Sequence, residues 1–173
     1  MAFRRTTVRR APRKRAIWCN IPFGAVAFTE SAGNQALLVP EDWEASFTGL
    51  SNERAVLRTI VGEVTIQQTV AGTLGTTGFW GIYMAGNDSP AAPAWTVTGM
   101  SDVDWLHVGS FGTQSTVSAT SNLYSIAARQ VHVKSKRKIS TRDSIYICGQ
   151  YGADAASPAA VLGGILRFLV ARD

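Results

Sequence analysis

The sequence is poor in the residues that most site chemistry needs. Its two cysteines, Cys19 and Cys148, stand far apart with no CxxC, so neither a disulfide framework nor a paired-cysteine zinc site is written in the spacing. They read as two reduced, mostly buried thiols of an intracellular protein. The only histidines are His107 and His132, and no HExxH or GxSxG occurs, which leaves out the common zinc-hydrolase and serine-hydrolase arrangements. The glycines of GTLGTTG at 72–78 lack the Lys-Ser/Thr of a phosphate loop and read as a flexible turn. Asp102, Asp104 and His107 read as loop charge before they read as a calcium site. Glu41, Asp42 and Glu44 read as acids at a short helix start around Pro40–Trp43. Together these absences point away from an enzyme and imply no cofactor and no metal.

Long apolar runs are missing as well. None reaches the roughly 18 residues that a membrane helix needs, so no membrane partner is expected. Pro12 and the basic cluster at 13–15 stand where the apolar core of a secretory signal would lie. An Arg- and Thr-rich start is compatible with a presequence or a nuclear import signal. Charged residues make up only 17% of the chain, below the usual quarter. Such a surface suits a protein covered by copies of itself.

What charge there is lies unevenly. The net charge is +5, but residues 1–15 hold Arg4, Arg5, Arg9, Arg10, Arg13, Lys14 and Arg15 and no acid. The rest of the chain has ten basic residues against twelve acids. Like charges repel, and only Phe3 and Val8 offer an apolar anchor, so residues 1–15 are expected to form a disordered or extended arm. Arginine forks match phosphate oxygens, and a flexible cationic tail binds polyanions by releasing counterions. Seven contacts to single strands predict a slope of log K against log salt of about −5. A solvated tail or a localisation signal is the alternative for such an arm taken alone.

From Ala16 to Asp173 the pattern is strands and turns. Residues 16–28 mix β-formers with Pro22 and Gly24, which suggests an irregular or edge strand. Leu37 to Val39 is a short apolar run. Over 55–67 the residues alternate, with Val56, Ile60, Val64 and Ile66 expected on one face and Thr59, Glu63, Thr65 and Gln67 on the other. Further strands are read at 79–84 (FWGIYM), 103–108, 128–139, 143–148 and 161–171, where Arg167 projects from an apolar strand. Residues 112–122 read as a loop or a polar strand. About eight strands, no repeat and almost no helix imply a sandwich or a barrel, and the eight-stranded sandwich is the jelly roll. A single domain over 16–173 fits the length.

A second basic cluster lies on the 128–139 strand and just beyond it: Lys134, Lys136, Arg137, Lys138 and Arg142. Gln130, His132, Lys134, Lys136 and Lys138 are expected on one face of that strand and Val131, Val133, Ser135, Arg137 and Ile139 on the other. Alternate residues repeat about 7 Å apart, which suits successive phosphates. A solvated face, a charged sheet edge or a subunit interface are the other readings.

The start MAFRRTTVRRAPRKR, the middle strand RAVLRTIVGEVTI, the segment FWGIYM, the stretch VHVKSKRKISTRDSIYI and the terminal ILRFLVAR span most of the chain. In order and pattern they resemble the jelly-roll capsid proteins of small circular single-stranded DNA viruses that encode their own replication initiator, and more distantly satellite-virus coats. The resemblance implies a virion protein that self-assembles into an icosahedral, T=1 shell of about 60 copies. It implies arms turned inward onto single-stranded nucleic acid, DNA rather than RNA, and passage through the host nucleus during assembly. Residues 4–15, and with them 134–142, inherit the nucleic-acid role. The rival expectation is a non-viral nucleic-acid-binding β-barrel with a basic tail, imported or ribosome-associated.

Overall fold

The computed structural model of the chain describes residues 16–29, 34–39, 54–70, 77–86, 103–112, 126–140, 143–152 and 159–172. They form eight strands: β1 (Ala16–Thr29), β2 (Asn34–Val39), β3 (Arg54–Val70), β4 (Thr77–Gly86), β5 (Asp104–Gly112), β6 (Ile126–Ser140), β7 (Asp143–Tyr151) and β8 (Ala159–Arg172). The strands pair in two four-stranded sheets, β1-β8-β3-β6 and β2-β7-β4-β5, and every pairing is antiparallel. Only β4 and β5 are sequence neighbours within one sheet. Every other step along the chain crosses from one sheet to the other, which is the jelly-roll sandwich. No helix among the described residues is long and apolar enough to cross a membrane. The helix start expected at 40–43, the loop at 72–78 for the most part and most of 112–122 lie outside the described residues.

Alternation builds the core, because a strand with one buried face must place apolar groups on every second position. Ile60, Val64 and Ile66 of β3, Leu162, Leu166, Phe168 and Val170 of β8, and Trp80, Ile82, Ile145 and Ile147 of the facing sheet all lie between the sheets, at most 3% exposed. Phe28, Phe111 and Tyr151 close one part of this core with ring centroids 5.1 to 5.7 Å apart, edge-on or tilted. Each such side chain contributes about 1.5–3 kcal/mol by burial. A second cluster, Phe79, Tyr83, Tyr146 and Cys148, is buried on the other face of the β2-β7-β4-β5 sheet.

Strict alternation misplaces one residue. Val56 was expected to share a face with Ile60, but Ala55 and Leu57 turn into the core there and Val56, though buried, lies on the opposite face. The cause is a bulge: against β8, Leu57 and Thr59 face adjacent residues Val170 and Leu169, so Arg58 is an extra residue. An inserted residue reverses the parity of everything beyond it. The irregularity expected near Gly24 is present as a register shift between Phe23 and Val26, with Ala25 at φ 52°. The apolar run at 37–39 belongs to β2, which pairs with β7.

At the centre of the first sheet, β3 and β8 touch backbone to backbone. Gly62 (φ +153°) and Gly164 (φ +152°) lie on neighbouring strands, and a Cβ on either would meet a carbonyl oxygen of the other strand at 2.2 Å. Only glycine accommodates that approach.

Candidate nucleic-acid interface

Strand pairing sorts the charges. The strands of the β1-β8-β3-β6 sheet contain Arg54, Arg58, Arg129, Lys134, Lys136, Arg137, Lys138, Arg167 and Arg172, and a single acid, Glu63. The strands of the other sheet contain two acids, Asp104 and Asp143, and no lysine or arginine. Nine of the ten basic residues beyond the arm therefore fall in one sheet. Arg142, the tenth, lies outside the described residues, as do Arg4, Arg5, Arg9, Arg10, Arg13, Lys14 and Arg15.

The register places these groups relative to the arm. Ala16, the residue after Arg15, pairs with Ala171, which pairs with Val56, which pairs with Lys138. The next outward-facing row is Trp18, Leu169, Thr59 and Lys134, and the one beyond it is Asn20, Arg167, Val61 and His132. Each row spans three interstrand steps, or about 14 Å. The point where the arm joins the body and the lysine strand thus lie at one end of one sheet, although more than a hundred residues separate them in sequence. Trp18, Asn20, Arg58, His132, Lys134, Lys136, Lys138 and Arg167 are all exposed. Glu63, midway along β3 on this face, accepts a 2.6 Å hydrogen bond from Gln130 Nε2.

The expected alternation of β6 holds for His132, Lys134 and Lys138. Lys136 sits where β6 bulges against β3, since Thr59 pairs with Lys134 while Leu57 pairs with Arg137. Arg137 lies on the face opposite the lysines, as the alternation predicts. There its Nη2 lies 2.5 Å from Asp104 Oδ1 on β5, and ties the two sheets along their shared margin. Its side chain is 55% exposed, so the pair adds less than about 1 kcal/mol. A groove of about 380 Å³ runs along this margin, lined by Trp105, Leu106, Val133, Lys134, Ser135, Lys136 and Arg137. With Asp104 engaged by Arg137, the calcium alternative for Asp102 and Asp104 loses one carboxylate, and Asp102 lies outside the described residues.

One arrangement on this face was not anticipated. Trp18 is 44% exposed, the Arg167 guanidinium carbon lies 5.0 Å from its ring centroid, and Arg167 Nε donates a 3.0 Å hydrogen bond to Asn20 Oδ1. The sequence signal was weak: one arginine in an apolar strand, and a tryptophan in a strand whose partner was unknown.

Burial governs the other shifted groups among the described residues. Cys19 and Cys148 are both free thiols, Cys148 buried and Cys19 half-buried. Burial pushes Cys148 up to about 12 and raises Cys19 as well, which keeps both protonated and unreactive. Burial also raises the Tyr83 hydroxyl and lowers His107.

No family model matches the chain, and no curated protein matches it. Among solved structures, the chain is similar to that of infectious bursal disease virus Gx strain at 14% identity and a TM-score of 0.39, covering 91% of this chain and 36% of that one. It is similar to the Tobacco streak virus coat protein dimer at 12% identity and a TM-score of 0.37, covering 95% and 89%. It is similar to turnip yellow mosaic virus at 16% identity and a TM-score of 0.33, covering 92% and 94%. The chain thus spans about a third of the length of the first of these. At this level of likeness, the jelly-roll assignment rests on the strand order and register of the chain itself.

Proposed function

We propose that the chain is a viral capsid protein with a structural, non-catalytic role. In this reading copies assemble into a small icosahedral T=1 shell of about 60 subunits, with the arm 1–15 and the β1-β8-β3-β6 sheet turned toward packaged nucleic acid. Single-stranded DNA is the favoured cargo, on the resemblance to coats of small circular DNA viruses. The protein then resides in the virion and passes through the host nucleus during assembly. The observation that supports this best is the collection of nine basic residues on one sheet, with Lys134, Lys136 and Lys138 near the end where the cationic arm joins. A polyanion held by the arm meets Lys134, Lys136 and Lys138 without leaving that face, and counterion release from both clusters adds.

Negative-stain microscopy and size-exclusion chromatography of the purified protein test the proposal. Uniform megadalton spheres containing nucleic acid are expected. Particles of one to six subunits under varied salt and pH would instead favour a small nucleic-acid-binding module.

A further inference from the structure

We infer that Trp18, Arg167 and Asn20 form a base-stacking subsite for single-stranded nucleic acid on the body of the protein. The inference rests on the packaging reading and adds to it a contact of a different physical kind. Phosphate contacts hold a backbone but leave the bases unsatisfied, and an unpaired base has two apolar faces that an aromatic side chain can cover.

Three observations lead to this site. First, Trp18 is left 44% exposed on a face that also exposes Arg167, His132, Lys134 and Lys138, where an indole presents a flat surface next to positive charge. Second, the arginine beside it is held in place. Its Nε donates to Asn20 Oδ1 and its guanidinium carbon lies over the indole, 5.0 Å from the ring centroid, so the fork is ordered before any ligand arrives and less entropy is lost when it binds phosphate. Third, Trp18 shares a row with Lys134 and lies two residues from the first residue of β1. A strand anchored by the arm passes Trp18 before it reaches the lysines, about 14 Å across the sheet.

A contact between copies of the chain is the competing use of an exposed tryptophan. The charge around it disfavours that use. A copy presenting its own cationic face would be repelled, and the other sheet offers only Asp104 and Asp143 along its strands. Single-stranded nucleic acid supplies both the negative charge and the flat apolar rings.

The test is binding of a fluorescent oligothymidylate to the full-length protein over a range of salt. Trp18→Ala is expected to bind about tenfold more weakly with an unchanged salt slope, because stacking releases no counterions. Trp18→Phe should restore most of the loss. Arg167→Gln should weaken binding and reduce the slope by about 0.7. Wild-type affinity in Trp18→Ala, alongside loss of binding when the arm charges are neutralised, would overturn the subsite and leave the packaging reading standing. Wild-type affinity in both variants would overturn the packaging reading itself. Loss of particles with unchanged oligonucleotide affinity would assign Trp18 to a contact between copies and overturn the subsite. Photocrosslinking of the wild-type protein to a bromodeoxyuridine oligonucleotide needs no variant. Crosslinks within residues 16–29 are expected, and crosslinks confined to residues 1–15 would overturn the inference.

Discussion

Between them the two sheets divide the chemistry of the body. The β1-β8-β3-β6 sheet carries nine basic residues and one acid on its strands, while the β2-β7-β4-β5 sheet carries two acids and no basic residue. Their outer faces differ as much. The first exposes Lys134, Lys138, Arg58 and Trp18, whereas the second buries Phe79, Tyr83, Tyr146 and Cys148. Both sheets share one apolar core, so the difference is not needed for folding. A cationic sheet repels itself and costs stability. In the proposed packaging role a bound polyanion removes that repulsion.

The largest expected effect separates the arm and first sheet from the rest. Neutralising the seven basic residues of 1–15 to glutamine should flatten the salt dependence of oligonucleotide binding by about 5 in slope, while circular dichroism of the body stays unchanged. Reversing Lys134, Lys136 and Lys138 to glutamate should lower the slope by at least about 2, with packaging lost before thermal stability. Unchanged packaging would place this face outside the shell or at an interface.

A comparison within the core follows. Gly62→Ala should cost about 3 kcal/mol in denaturant unfolding, because the new Cβ meets a carbonyl oxygen that cannot move aside. The second sheet supplies the pH dependence. His107 lies 4.8 Å from the buried Trp80 ring, and burial lowers its pKa below the ordinary 6.5. The unfolded chain then binds the proton first, so stability is full above about pH 6.5 and falls as the pH drops through the folded value. Urea midpoints at pH 7.5 and pH 5 should show this fall, and His107→Gln should reduce it. The smallest effect belongs to the tie between sheets. Asp104→Asn should cost less than about 1 kcal/mol, read as a small shift in the urea midpoint that high salt removes in the parent protein.

Much of the fold was legible because period-2 alternation is a direct consequence of strand geometry. The segments around Ile60–Ile66, FWGIYM and 128–139 each became the expected strand. Val56 was not legible, because a bulge at Arg58 reverses parity and no residue type announces it. Lys134 and Lys138 stood out as basic residues on one strand face and Arg137 fell on the other, but its ion pair with Asp104 of another sheet was not legible. Trp18 and Arg167 were unreadable as a pair, since one is near the start of the chain and the other near its end.

Composition and local order alone determined that the chain is mostly β, that its first fifteen residues are cationic, and that one later strand carries three lysines. Those properties depend on neighbours in sequence. Tertiary structure decided that the arm's attachment, the lysine strand and the Trp18–Arg167 pair share one face, because strand order in an antiparallel sandwich is set by the packing of two sheets. Residues far apart along the chain become adjacent only when their strands pair.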